Sequence, residues 1–558
     1  MTDVEIKFDV PVPMRDGTIL RADVYRPTGR GPWPVLVQRT PYDKRSPVGG
    51  LPLATLLAVS RGYIVVQQDT RGRFASDGEW SPWTHEQADG HDTVRWAAEL
   101  PGSSGAVGMF GASYTGNTSW VAAIDGPPEL RAIVPQVTWS DPNDGLFMRG
   151  GALELGLNGW WTLLTGLGDL PRRFAGADLL GAMTSLVADY DGLRERSYWE
   201  LPAGRLPAIE RFGGPDIGTQ RALAAPETAD HARVAGRHHA ITTPSLVVTG
   251  WYDIFMQGAL DNHIAMAKTG RPTKLLVGPW SHVENTVPGA VGETNFGLTA
   301  TQNAIAGQYS LSELELRWFD HWLLGRDTGL MDEPPVKIFV MGTNTWRDEN
   351  EWPLARAVET PWFLRADGRL SRSAPGADED HDTYVYDPND PVPTRGGAMV
   401  MSVDFPAGPF DQAAVEQRPD VLVYTSEPLG HDLEVTGPVR VTLYAATDGP
   451  STDWVVRLCD VDAQGVSRNI TDGVLRVNAS PDTVGEHEID LWSTSNVFRA
   501  GHRLRVQVTS SNFPRWDRNP NTGEPPQTAT TLRPARQRIF HDASRASSIA
   551  LPVVSSQG

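Results

Sequence analysis

The stretch Gly108-Met-Phe-Gly-Ala-Ser-Tyr-Thr-Gly116 lies between the apolar run Ala106-Val-Gly-Met-Phe110 and a helix-forming stretch over 117–124. An apolar run of that length bounded by glycine reads as a buried strand, which puts Ser113 on a strand-to-helix turn. Such a turn is a sharp, strained bend that exposes the serine oxygen above the edge of a sheet, and the small residues Gly111 and Ala112 let the chain pass closely there. The pattern Gly-x-Ser-x-Gly is met with an offset, because Thr115 stands where the second glycine belongs and Gly116 follows it. Taken alone, the segment leaves two readings open, a nucleophile and an ordinary turn serine.

Working outward, Trp33-Pro-Val-Leu-Val-Gln-Arg39 and Tyr63-Ile-Val-Val-Gln67 read as further buried strands, and 86–100 repeats its apolar residues at helical spacing. Strands alternating with helices predict a parallel sheet covered by helices. The rhythm breaks over 141–240, which is rich in Leu, Ala and Gly and poor in β-branched residues, and this predicts an inserted helical segment. Strand patterns return at Ser245-Leu-Val-Val-Thr-Gly250, Lys274-Leu-Leu-Val-Gly278 and Val336-Lys-Ile-Phe-Val-Met-Gly342. Beyond the Pro-containing link at 351–361, Val439-Arg-Val-Thr-Leu-Tyr-Ala445, Asp453-Trp-Val-Val-Arg-Leu-Cys-Asp460 and His502-Arg-Leu-Arg-Val-Gln-Val-Thr-Ser510 alternate with period two, as strands of an antiparallel sandwich do. The polar stretch 367–383 reads as a loop. The expected division is a discontinuous α/β core over 1–140 and 241–352, a helical cap over 141–240 and a β-sandwich over 353–558.

In a serine hydrolase built on a parallel sheet the acid and the histidine follow later strands, in the order Ser, acid, His. Gly250-Trp-Tyr-Asp-Ile-Phe255 and Gly278-Pro-Trp-Ser-His-Val283 follow two such strands, so Asp253 and His282 occupy the two expected loops. Each alone has an ordinary alternative, a turn or capping Asp and a structural His. Together with Ser113 they form a catalytic set in the right order. One oxyanion donor would be the Tyr114 N–H. No histidine is followed by glycine, so the usual His-Gly-Gly loop is absent; Gln38-Arg-Thr-Pro-Tyr-Asp-Lys44 follows the first parallel strand, and the Tyr42 hydroxyl is the candidate second donor, against the alternative of a simple Pro-Tyr-Asp turn.

The chain of 558 residues carries 49 Lys+Arg against 68 Asp+Glu, a net charge of −19 that repels nucleic acid and anionic lipid. One cysteine, Cys459, excludes an internal disulfide and a multi-Cys zinc site. The chain has neither a signal-peptide pattern at its start nor an apolar run long enough to cross a membrane, so the expectation is a cytoplasmic protein with no membrane and no nucleic-acid partner. His-Glu-x-x-His, Walker and dinucleotide-binding patterns are missing, and the expected metal and cofactor are none. Trp, at 19, outnumbers Phe at 16 and Tyr at 12, which makes an aromatic pocket plausible.

Arg39-Thr-Pro-Tyr-Asp-Lys44, Gln68-Asp-Thr-Arg-Gly72, Gly111-Ala-Ser-Tyr-Thr-Gly116, Gly250-Trp-Tyr-Asp253, Gly278-Pro-Trp-Ser-His282 and Ser510-Ser-Asn-Phe-Pro514 resemble, in order and from about residue 10 onward, the bacterial cocaine esterase group. The wider family includes X-prolyl dipeptidyl peptidases, α-amino-acid ester hydrolases and glutaryl cephalosporin acylases. The resemblance implies an α/β-hydrolase core, mostly parallel with helices on both faces, an inserted helical cap and a C-terminal jelly roll, with the site between all three. It implies Ser113, Asp253 and His282 as triad and Tyr42 and Tyr114 as oxyanion donors. The α-amino-acid ester hydrolases place acidic residues two and three positions after the triad Asp; here Phe255 and Met256 stand there, which favours a neutral acyl group. A cap tryptophan of the cocaine esterases matches Trp160 or Trp161, and Leu51 and Leu146 fall where pocket residues are expected. The expected activity is therefore a serine carboxylesterase acting on a small-molecule ester with an aromatic or bulky acyl group. An amide-cleaving acylase or X-prolyl peptidase is the first alternative, and a non-catalytic binding protein using the sandwich is the second. A homodimer is left open.

Overall fold

The computed structural model describes residues 4–46, 53–212, 224–283 and 287–555. Ten strands form one sheet, ordered Val4–Pro13, Ile19–Pro27, Ile64–Asp69, Trp33–Thr40, Ser103–Ala112, Leu130–Gln136, Ser245–Tyr252, Thr273–Ser281, Val336–Val340 and Thr345–Glu349. The six central pairings are parallel, and antiparallel pairs close both edges.

The central strands read as unbroken apolar runs because both faces are covered. Val35, Val37, Ile64, Val66, Val107 and Met109 enter one core cluster, while the intervening Leu36 and Val65, together with Phe110, enter another on the opposite face. Helices Glu86–Ala98, Tyr114–Asp125 and Met256–Lys268 contribute to the first cluster, and Leu311–Leu324 to the second. Every predicted strand of this half is present, in the order of an α/β-hydrolase. The sequence reading missed four strands of this sheet: Val4–Pro13, whose side chains are mostly exposed or half-buried and carry no burial pattern, Ile19–Pro27, Leu130–Gln136 and Thr345–Glu349.

Within 141–240 the chain forms the helices Leu155–Arg173, Gly176–Asp191 and Pro207–Phe212, and a two-stranded hairpin of Met148–Arg149 and Ala152–Leu153 precedes them. Among the described residues no helix is long and apolar enough to cross a membrane.

The remaining strands, from Val358–Arg365 to Ser548–Val554, form an antiparallel β-sandwich around a second hydrophobic core, with one parallel strand pairing, Arg369 with Thr425, and an isolated parallel bridge between Pro393 and Phe513. Two details differ from the sequence reading. Arg369–Ser371 is a short strand inside the expected loop. Ser451–Val461, expected to alternate, is buried on both faces, because its second face is covered too: Val455 packs with Ala152 and Trp516, Asp453 pairs with the cross-strand Arg476 at 2.8 Å, and Arg457 donates to Gln412 and Gln507. Alternation reports one wet face, and this strand has none.

Candidate active site

Ser113 stands between the strand Ser103–Ala112 and the helix Tyr114–Asp125, with φ 62° and ψ −125°. A non-glycine residue in this region is strained and is held there by its surroundings. Its N–H donates to Gln136 O on the neighbouring strand at 2.9 Å, and its carbonyl accepts from Asn117 N–H at 3.0 Å. The offset glycine now has a reason. A Cβ on Gly116 would lie 2.9 Å from Gln136 O and 3.0 Å from Gly111 O, so the close approach of helix to strand falls at Gly116. Thr115 instead turns its hydroxyl onto Ala112 O at 2.7 Å, filling the space that a side chain on Gly111 would need.

Asp253 and His282 follow the strands Ser245–Tyr252 and Thr273–Ser281. His282 Nδ1 meets Asp253 Oδ2 at 2.6 Å, and the other carboxylate oxygen accepts the Phe255 N–H at 2.6 Å. With both oxygens engaged and no exposure, the carboxylate is fixed. A proton on Nδ1 leaves Nε2 as the free acceptor of the ring. The ring packs edge-on against Phe255, centroids 5.2 Å apart.

The turn carrying Tyr42 is clamped by its neighbours. Lys44 donates to Asp69 from both its N–H and its Nζ at 2.8 Å, and Arg39 Nε donates to Gln68 Oε1 at 2.8 Å. The two motifs around Arg39–Lys44 and Gln68–Gly72 thus lock adjacent parallel strands at the end that carries the site. The Tyr42 hydroxyl accepts Trp161 Nε1–H at 2.9 Å and lies close enough to the Ser113 side chain to interact with it. Burial raises its pKa, so it remains a neutral donor. Tyr114 begins its helix, where the N–H has no partner one turn earlier and the helix dipole is positive. Its ring lies beneath: the hydroxyl donates to Glu86 Oε1 at 2.9 Å and accepts the Trp83 N–H at 3.0 Å, while Arg39 pairs with Glu86 at 2.7 Å.

Tyr114, Leu146, Trp161 and Phe255 belong to one apolar cluster, and Tyr42 packs against it. Trp83, which the sequence reading did not select, is its hub, with ring centroids 5.5 Å from Tyr114, 5.6 Å from Trp161, 5.3 Å from Phe147 and 6.1 Å from Trp139. Trp139 reaches Phe255 at 5.1 Å. Val400 joins from the C-terminal half, so residues from all three sequence zones meet here. Of the two cap tryptophans, Trp161 points to the site. Trp160 only flanks the cluster and donates its N–H to Tyr190 within the cap at 2.8 Å. Met256, unlike its neighbour Phe255, packs into the core of the sheet. Leu51 lies outside the described residues. Among the described residues no group of His, Cys, Asp and Glu is arranged to hold a metal.

Residues 16–284 match the model of the X-Pro dipeptidyl-peptidase (S15) family, and residues 328–550 that of the X-Pro dipeptidyl-peptidase C-terminal non-catalytic domain. The chain is 35% identical to the cocaine esterase of Rhodococcus sp. (strain MB1 Bresler), over 98% of both chains. It belongs to this family. Among solved structures it is similar to an α-amino acid ester hydrolase, at 25% identity and TM-score 0.77 over 99% of this chain and 97% of the other. An aminopeptidase of a marine sediment archaeon, at 24% identity and TM-score 0.78 with 99% and 97% coverage, shares the fold. These relatives are hydrolases built on the same core and sandwich, and the esterases among them agree with the expected reaction class.

Proposed function

We propose that the protein is a serine carboxylesterase in which Ser113 attacks the ester carbonyl, His282 takes its proton and then protonates the leaving alcohol, and a water activated by His282 releases the acid. Asp253 holds the imidazole tautomer and offsets the charge of the imidazolium. The Tyr42 hydroxyl and the Tyr114 N–H stabilise the oxyanion. The observation that carries this reading is the 2.6 Å Asp253–His282 pair, found together with a strained Ser113 on the strand-to-helix turn.

For the acyl group, the proposal is a neutral aromatic or bulky one, received by Trp161, Phe255 and Leu146. Phe255 supports this choice, since an apolar ring against His282 brings no negative charge to pair with an ammonium. The same reading takes 1–140 and 241–352 as core, 141–240 as cap and 353–558 as sandwich, in a cytoplasmic enzyme; fractionation of native cells tests the location and limited proteolysis the boundaries.

The deciding assay pairs aryl and alkyl esters of benzoic and short fatty acids with aminoacyl amides such as Ala-Pro-anilide, for wild type and Ser113→Ala. Turnover of neutral esters alone, lost in the variant with the fold intact, is the expected result. Efficient cleavage of the aminoacyl amide would replace this reading with an X-prolyl peptidase, and unchanged activity in Ser113→Ala would remove the triad.

A further inference from the structure

Arg73 follows the Gln68–Gly72 motif and is 1% exposed. Its guanidinium stacks over the rings of Trp80 and Phe74, at 4.2 Å and 5.0 Å from their centroids. Nε donates to Pro41 O at 2.8 Å and Nη2 to Thr165 O at 3.2 Å, while Nη1 finds no acceptor among the described residues. No carboxylate among them comes within 4.0 Å of it. The two carboxylates whose charge reaches it, Asp169 and Asp69, already pair with Arg173 and Lys44. Burial lowers its pKa to about 10, which still leaves it charged at neutral pH. A buried cation without a counter-ion is expensive, and folds rarely keep one without a use for its charge.

The two carbonyls it holds are informative. Pro41 immediately precedes Tyr42, and Thr165 lies one helical turn after Trp161, to whose carbonyl its hydroxyl donates at 2.7 Å. One guanidinium therefore ties the loop that carries Tyr42 to the cap helix that carries Trp161, and these are the two side chains joined by the 2.9 Å indole-to-hydroxyl bond.

We propose that Arg73 is a positioning residue for the oxyanion donor: it fixes the cap helix against the Tyr42 loop so that Trp161 orients the Tyr42 hydroxyl toward the reacting carbonyl, and its unneutralised charge favours the negative charge that gathers there in the transition state. The Trp161 N–H occupies one lone pair of Tyr42 Oη, which leaves the O–H proton to be donated outward. A fixed cation buried away from water acts on developing charge with less screening than one in solvent. This rests on the reading of Tyr42 as an oxyanion donor.

The test is a double-mutant cycle on a neutral benzoyl ester, with kcat, KM and melting temperature measured for Arg73→Met, Tyr42→Phe and the pair. Loss of a direct oxyanion donor costs about 100-fold to 1,000-fold in kcat, so loss of its support is expected to cost about 30-fold, with KM changed by less than about threefold. In the Tyr42→Phe background Arg73→Met should cost clearly less than in the wild type, what remains being the direct effect of the charge, and Arg73→Lys, which keeps the charge and not the tie to both carbonyls, should recover part of the lost rate. Equal losses in the two backgrounds, or a change in KM alone, would make Arg73 a structural tie and overturn the proposal. Full activity in Tyr42→Phe would overturn the oxyanion reading itself, and the proposal with it. Where Arg73→Met does not fold, the same cycle is run with Arg73→Gln, a polar replacement that removes the charge and is too short to hold both Pro41 O and Thr165 O, and the same outcomes decide the question.

Discussion

Gln136 serves Ser113 and Glu315 at once: its carbonyl accepts the Ser113 N–H at 2.9 Å, and its side-chain amide donates to a Glu315 carboxyl oxygen. Glu315 is wholly buried, no cation faces it, and its second oxygen has no partner among the described residues. Burial pushes its pKa up to about 8, with the Gln136 bond opposing. In strongly acidic solution both folded and unfolded chains carry this proton. From the ordinary carboxyl range up to about 8 only the folded chain keeps it, so each pH unit costs the fold on the order of 1.4 kcal/mol; above that both forms are ionised and the loss stops. Glu315→Gln should therefore gain melting temperature relative to wild type as pH rises from about 5 to 8, and the difference should then level off. Thermal unfolding of both proteins across that range is the check, and a difference independent of pH would show that Glu315 is charged in the fold.

Asp253 has two acceptors in use, one for the His282 Nδ1–H and one for the Phe255 N–H. Asparagine offers a single acceptor. In Asp253→Asn either the backbone turn loses its partner or the imidazole faces an N–H and adopts the wrong tautomer, with its proton on the nitrogen that should act as base. In a serine-protease triad the equivalent change lowers kcat by about 10,000-fold, and a similar loss is expected here with the melting temperature little altered. A loss below about tenfold would remove Asp253 from the triad.

The parallel core was legible because strands buried on both faces cannot hide their composition, and the three residues proposed as the triad could be picked out because each follows such a strand. The wall of the site was not. Trp83 and Trp139 sit in segments without periodicity, so nothing in their surroundings distinguishes a ring in the site from a ring in the core. Adjacent residues also part company. Trp160 and Trp161 are about 100° apart around their helix and only Trp161 meets Tyr42, while Phe255 precedes its helix and faces His282 as Met256, the first helical residue, turns into the core. A match of sequence positions cannot separate such neighbours, whereas backbone direction does.

Gly116 is predicted to tolerate no side chain. In Gly116→Ala the new methyl would lie within 2.9 Å of Gln136 O and 3.0 Å of Gly111 O, two backbone atoms that cannot rotate away. Relief requires the helix Tyr114–Asp125 to retreat from the strand Leu130–Gln136, which moves the Tyr114 N–H and loosens the bond from Ser113 to Gln136. A stability loss of about 1–3 kcal/mol is expected for such overpacking, with a fall in kcat larger than the stability loss explains. Denaturant unfolding and kcat measured on the same preparation check it, and a stable variant with full activity would contradict the role given to the offset glycine.

Phe255→Ala tests the acyl preference. The ring is 2% exposed and bridges Trp139 and His282, at centroid distances of 5.1 Å and 5.2 Å, so its removal opens space at the wall where an aromatic acyl group would stack. Aromatic stacking contributes about 0.5–1.5 kcal/mol beyond area burial, and the burial itself adds to this, so kcat/KM for a benzoate ester should fall at least about tenfold relative to an acetate ester of the same alcohol. The Asp253–His282 bond uses only the backbone N–H of Phe255, which alanine retains, so acetate turnover should stay within a few-fold of wild type. Equal losses for both esters would mean that the ring supports the imidazole and takes no part in acyl recognition. An unchanged benzoate-to-acetate ratio with full activity would move the acyl site away from Phe255, toward the Trp83 and Trp161 side of the cluster.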